Sequence, residues 1–545
     1  MANFAGYVVH VKNFTDIRLV GLALVLPVQI LLVSLNYDAY QSSLLESGQW
    51  FSFVSYSGQF AKVLIAVIVF SLLGLFPRLR DHYAAITRLN RDYRYHYPVL
   101  LQLICFAVFL YCTHSIFGRD AGQTGLSNGL VLSWLAALSA TGILWMLSLA
   151  PPSYWSNLLK SEAKVFAAAF IVGTIAWLLS RFAQTLWTPM SDWTFYLSSK
   201  LLGLIYADIY INPETKIIGV DEFFVNIAPE CSGYEGIGLM VVFTAFYLSI
   251  FRKDFRFPQS FLLFPIGMAA IWLFNAVRIA ALISLGASFS PEVAVGGFHS
   301  QAGWISFILV IIATLMLAYR SSFFCTGQGI VRTTGGRINL PMALLIPAIV
   351  LLASTILTSA FSGNFDWLYP LRVVAVALAL VFCWRLYEIT DFRLRLEPVL
   401  AGFAVFVIWV LLVPGDPVKN TFFEENLFQA PGFAAAAWLL LRAIGAVVTV
   451  PIAEELLFRG YLITRLARTD IVLEGKIPFS WLALLASSVT FGLLHANWLA
   501  GIIAGIVYGI VRYRGRSIVD AIVAHAGTNL FLTIYVLLAA DWSLW

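Results

Sequence analysis

Charge is what this chain has least of. Asp, Glu, Lys and Arg make up 12% of its 545 residues while 60% are hydrophobic, where soluble domains are roughly a quarter charged. With a mean hydropathy of +0.85, a soluble globular protein is excluded and a polytopic membrane protein is left. Cysteine is sparse too: Cys105, Cys112, Cys231, Cys325 and Cys383 show no CxxC spacing, so neither a disulfide framework nor a zinc ribbon is implied. There is no internal repeat, no low-complexity tract and no phosphate-cradling glycine loop. No small-residue cleavage site follows the first apolar run, so no cleavable signal peptide is expected. Net charge is only +5, and the arginines fall in short loops between apolar runs, which points to membrane orientation and away from nucleic acid.

What the chain does have is a succession of apolar runs at about 18–36, 60–77, 99–117, 128–150, 163–183, 234–251, 259–286 and 302–319, each near or at the ~20 residues that cross a bilayer. A polar, basic stretch with Arg332 and Arg337 follows. It divides the chain into 1–325, a linker 326–338, and 339–545. Further runs at about 340–361, 370–387, 398–413, 432–452, 479–497, 499–512 and 517–540 predict an all-α protein of about fifteen transmembrane helices in two helical bundles. Positive charge stays on the cytoplasmic side of a membrane. The basic loops 77–98 and 251–258 and the linker are therefore assigned inside, and the acidic loops 37–59 and 184–233 and the loop 287–301 outside. Residues Lys216 to Ile227 are β-branched and partly alternating; they read as extended structure, either a plain surface hairpin or an edge for a substrate peptide.

One string stands where a polar segment meets an apolar run: Pro229-Glu230-Cys231-Ser232-Gly233-Tyr234-Glu235-Gly236. If Gly233 makes a tight turn and Tyr234 opens a helix, the unpaired N–H groups of the first turn lie beside the sulfur and favour the thiolate. Cys231 is then a candidate nucleophile; the alternative is a small buried apolar side chain. Arg278 lies inside the run 259–286, where a guanidinium must face a partner or a water-filled cavity unless it snorkels. His299 opens the next span on the same outer face. A thiolate needs a nearby positive charge and a proton shuttle, and these residues are of those types. The string around Cys231, the Asn-x-x-Arg-Ile around Arg278 and the His-x-x-x-Gly from His299 to Gly303 resemble the exosortase/archaeosortase family. Over roughly 1–325 that resemblance implies a membrane-embedded cysteine transpeptidase with Cys231, Arg278 and His299 in the catalytic roles. The partners it implies are exported proteins that end in a C-terminal motif, a transmembrane helix and a basic tail, met at the bilayer of a bacterial inner membrane.

A second set lies in the last two hundred residues. Pro451-Ile452-Ala453-Glu454-Glu455-Leu456-Leu457-Phe458-Arg459 places two carboxylates and an arginine at the end of a predicted span. Glu455 and Arg459, one helical turn apart, can pair, and Glu454 points about 100° away. His495 closes Phe491-Gly492-Leu493-Leu494-His495, and His525 and Asn529 share a helical face. Glu-Glu-x-x-x-Arg, Phe-x-x-x-His and His-x-x-x-Asn in that order resemble the CPBP intramembrane proteases, which include CAAX-processing enzymes. The resemblance implies that Glu454 with His495 activates water and that His525 and Asn529 stabilise the oxyanion, with no cofactor. A zinc held by Glu and two His is the alternative. Hydropathy puts Glu454 near the inner end of its span and His495 near the outer end of its own, which requires kinked spans or different boundaries. A chain with both sets resembles the fused exosortase E/protease type, which implies substrates with a Val-Pro-Glu-Ile-Asp type tail. The rival class, a transporter with polar residues along a path, predicts matching intramembrane charge in both halves; the two halves here carry unrelated motifs.

Overall fold

Inside a bilayer a backbone has to satisfy its own hydrogen bonds, which makes helix the outcome for long apolar runs. The computed structural model describes residues 14–37, most of 63–89, 93–117, 128–326 apart from 186, and 338–545 apart from 468 and 516, and is helical apart from one small sheet. The linker residues 327–337, most of the acidic loop 37–59 and part of the run 60–77 lie outside the described residues. Two compact units divide at 185/186. The first contains α1 (Phe14–Asn36), α2 (Leu79–Leu89), α3 (His96–Phe117), α4 (Asn128–Leu149), α5 (Pro152–Ser161) and α6 (Ala163–Thr185). Among its buried polar side chains, Gln29 and Gln102 exchange amide hydrogen bonds, and Glu162 takes Arg78.

The second unit holds both candidate sites. It opens with α7 (Trp187–Leu202) and a three-stranded antiparallel sheet, β1 (Tyr210–Asn212), β2 (Ile217–Val220) and β3 (Phe223–Asn226), in the order β1-β2-β3. Residues 184–233, expected as an outer loop, are thus mostly ordered structure, and the extended stretch predicted at 216–227 is the β2–β3 hairpin with Ile218 opposite Val225. Ile218 and Val220 bury against Phe195, Leu202, Ile279 and Ile283. After it come α8 (Tyr234–Ile250), α9 (Leu263–Ser288), α10 (His299–Arg320), α11 (Leu340–Ala360), α12 (Tyr369–Cys383), α13 (Leu396–Leu412) and α14 (Pro417–Phe428). The last four are a helical run α15 (Gly432–Ala467), then α16 (Trp481–Leu493), α17 (Trp498–Arg514) and α18 (Ile518–Ala539).

Among the described residues eight helices are long and apolar enough to cross a membrane, or nine if one bent pair counts as a span, against the fifteen expected. Part of the difference falls on runs such as 60–77 that lie partly outside the described residues; other runs differ for physical reasons. The run at 398–413 bends by 109° into α14. The runs at 479–497 and 499–512 are helices of 13 and 17 residues that pack as a hairpin. The run at 432–452 errs the other way and continues to Ala467 for 36 residues. The charges that the sequence places at the end of that run lie inside the longer helix, where Glu455 and Arg459 pair. Glu454 therefore lies well within its helix, and His495 lies in the turn between α16 and α17. These boundaries replace the hydropathy placement.

Candidate active sites

Pro229 starts a 3-10 turn over Pro229–Ser232, and Gly233, at φ +85°, reverses the chain into α8. Glycine enters that left-handed conformation with no Cβ penalty. The half-buried Cys231 thus sits just before a helix N-terminus, as the sequence predicts. The turn is clamped through its carbonyls. Asn275 Nδ2 donates to Cys231 O at 2.8 Å, and Thr194 Oγ1 donates to Ser232 O at 3.1 Å. Thr194 in turn accepts from Trp272 Nε1 at 3.0 Å, and Ser191 Oγ donates to Ile227 O at 3.1 Å.

Asn275 and Arg278 are three apart on α9, so the face that grips the turn also carries the guanidinium. Arg278 lies within electrostatic reach of Cys231 and Glu235. Its Nη1 lies 3.1 Å from where a Cβ on Gly303 of α10 would be. A cavity of about 260 Å³ opens there, lined by Gly233, Glu235, Asn275, Arg278, Ser300 and Trp304 among others. His299 is the exposed first residue of α10, one turn before Gly303, and its ring has no hydrogen bond or ion pair among the described residues. The structure brings Cys231 and Arg278 near each other and puts His299, exposed, at the start of the helix that touches Arg278.

In the second set, Glu454 and Glu455 lie between two π-helical stretches of α15, Gly445–Thr449 and Leu456–Leu462; such stretches are frequent at functional sites. Arg459 Nη1 donates to Glu455 Oε1 at 2.9 Å, both side chains being 0% exposed. Arg459 Nη2 donates to Gly505 O at 2.9 Å, and the guanidinium lies over the Phe491 ring at 4.5 Å. His525 reaches both carboxylates, with Nδ1 3.0 Å from Glu455 Oε1 and Nε2 4.0 Å from Glu454 Oε2. The second oxygens of both glutamates are buried without a hydrogen-bond partner. Asn529 Nδ2 donates to Ala446 O at 2.7 Å in the first π stretch.

His495 stands differently from its expected place. Its Nδ1 is 2.8 Å from Phe491 O and its ring packs on Phe491 and Trp409. No ion-pair contact joins it to Glu454; the imidazole at Glu454 belongs to His525. Among the described residues no group of three or more His, Cys, Asp and Glu side chains is disposed to hold a metal ion.

A buried ion pair that loses one partner leaves an uncompensated charge, at a cost of about 3–5 kcal/mol. Glu455→Gln is therefore expected to lower the thermal midpoint and the amount of folded protein. Glu454→Gln should fold normally, because Glu454 Oε2 makes no hydrogen bond that the substitution would break. Thermal unfolding of the two detergent-solubilised variants, followed by circular dichroism, separates these outcomes; equal midpoints would mean that the Glu455–Arg459 pair contributes no net stability.

Several contributors have no assigned part in the sequence reading. Ser191, Thr194 and Ser198, all buried on α7, hold the backbone of Ile227, Ser232 and Ala276; their i, i+3, i+7 spacing is the signal that could have found them. Tyr508 stacks on His525 with centroids 4.8 Å apart and donates to Thr528 Oγ1 at 2.8 Å. No local pattern announces it, since the contact joins two helices.

Residues 53–316 match the family described as transmembrane exosortase (EpsH), and residues 436–531 match the type II CAAX prenyl endopeptidase Rce1-like family. The first match takes in Cys231, Arg278 and His299, and the second takes in Glu454, Glu455, Arg459, His495, His525 and Asn529. No curated protein and no solved structure matches the chain.

Proposed function

As an exosortase–CPBP fusion, a membrane sorting enzyme joined to a membrane protease, the chain works, we propose, at two chemically separate sites. At the first, Cys231 Sγ attacks the carbonyl carbon at the sorting motif of an exported protein. Arg278 balances the oxyanion, the peptide C–N bond breaks, and His299 delivers to the departing amine the proton it took from the Cys231 thiol. The acyl group, now a thioester on Cys231, passes to an amine or to water. The tail is of the Val-Pro-Glu-Ile-Asp type, the site faces outward from a bacterial inner membrane, and residues 1–325 and 339–545 are the two functional halves. Arg278 carries this reading: a guanidinium within an apolar helix, in electrostatic reach of a cysteine that lies just before the N-terminus of α8.

The thioester is the testable species. Full-length protein incubated with a substrate peptide and quenched in acid should carry the acyl adduct on the Cys231 peptide by mass spectrometry, and hydroxylamine should release it. An adduct on another cysteine, or tail removal with no hydroxylamine-sensitive adduct, would overturn the assignment.

At the second site Glu454 serves as the base for water. Its partner is His525: Nδ1 bonded to Glu455 leaves Nε2 turned toward Glu454 Oε2, so that a proton taken from water can be shared between carboxylate and imidazole. Glu455 and Arg459 orient that imidazole, and Asn529 and His495 complete the polar surroundings. The pair activates water without a metal.

A further inference from the structure

The first site takes part of its framework from the other half of the chain. Beyond α9, a π-helical turn over Val293–Phe298 runs directly into His299. Gly297, in that turn, faces three backbone carbonyls, those of Ser359, Ala360 and Ser362, so closely that a Cβ there would collide with them. Gly296 faces Gly363 O, and Gly363 in turn packs toward Glu292 and Val293. These carbonyls belong to the end of α11 and the turn after it. A carbonyl oxygen has two lone pairs, so even Ser359 O, which accepts from Ser362 N at 3.3 Å, can take a second contact, and the hydrogens on a glycine Cα are weak donors that can approach it.

That seat is itself locked in place. Arg372, on α12, donates to Thr358 Oγ1 and to Ser359 Oγ and pairs with Asp366 at 2.7 Å. Ser362 Oγ bonds Asp366 Oδ1 at 3.0 Å and the Thr358 carbonyl at 2.9 Å. The turn that carries His299 therefore rests on a rigid surface of backbone oxygens, which cannot yield as a flexible side chain would.

We propose that the 359–363 turn, locked by Arg372, is a positioning element for His299, so that the protease half forms a structural part of the sorting site. The proposal rests on the reading of His299 as the proton shuttle. A Cβ at Gly297 has to lift the turn off its seat and so displaces a ring two residues further on.

The test is a double-mutant cycle on the full-length chain with a sorting-tail substrate: wild type, Gly297→Ala, His299→Ala and the double variant. Gly297→Ala is expected to lower kcat at least tenfold with KM little changed, while Glu454-dependent proteolysis and membrane protein level stay as in wild type. In the His299→Ala background it should cause no further loss, because the group it displaces is gone. If Gly297→Ala lowers the protein level, Arg372→Gln, which leaves 290–299 untouched, is read in the same cycle with the same expectation, and Arg372→Lys should recover part of the rate. Losses that simply add, or a wild-type rate in Gly297→Ala, would overturn the positioning role while leaving the shuttle in place. A full rate in His299→Ala would overturn the shuttle reading and the inference with it.

Discussion

Replacing Cys231 by Ala is expected to stop tail removal, with a fall of at least about a thousandfold because no second nucleophile replaces the lost thiol. Full-length substrate should accumulate with its tail attached. The protein should remain folded, because the bonds that hold the turn run through the Cys231 and Ser232 carbonyls and not through the sulfur. Immunoblots of substrate length beside membrane levels of the enzyme give both readings at once. The other cysteines supply the contrast: Cys105 is partly buried and Cys112, Cys325 and Cys383 are buried, and single replacements there should leave the rate within about twofold, as interior packing changes without a chemical role do. Normal processing in Cys231→Ala, or loss on replacing any of the other four at normal protein level, would place the nucleophile elsewhere.

Glu454→Gln keeps the shape of the second site and removes the proposed base. Proteolysis of a membrane peptide by the full-length chain should fall by about 10²–10⁴, the range that general acid–base groups contribute, while the thioester at Cys231 continues to form. The assay is run with and without chelator. Activity that survives in Glu454→Gln would remove it as the base. Activity that vanishes with chelator and returns with zinc would replace the carboxylate–imidazole pair by a metal. The full chain is the right material, because the turn at 359–363 and the turn before His299 pack on each other.

The two sites were legible in the sequence to different depths. The Cys231 turn rests on local signals, Pro229 and Gly233, which act within four residues, and the structure reproduces the helix start at Tyr234. Arg278 could be read because a charge in an apolar run has few excuses. Which imidazole meets Glu454 could not be read, since it depends on how α15, α16 and α18 pack; the order of motifs along the chain holds no such distance. Span ends were misread for a related reason. Hydropathy counts each charge alone, but Glu455 and Arg459 cancel inside the helix and the span continues past them. Nor does hydropathy register that an apolar run is interrupted, as at the 109° bend after Leu412.

The brevity of α16 and α17 bears on how a hydrolase in lipid obtains its second substrate. Helices of 13 and 17 residues reach only about 20 and 26 Å at 1.5 Å per residue, short of the ~30 Å of hydrocarbon in an ordinary bilayer, and local thinning is one way such a deficit is met. The turn that joins them carries His495, and Gly505 of α17 receives Arg459 from the cluster around Glu454. Thinning over this hairpin would fall on the side of the bundle nearest the carboxylates. A dimple in the membrane over this hairpin would shorten the path of water to Glu454 without any channel through the protein.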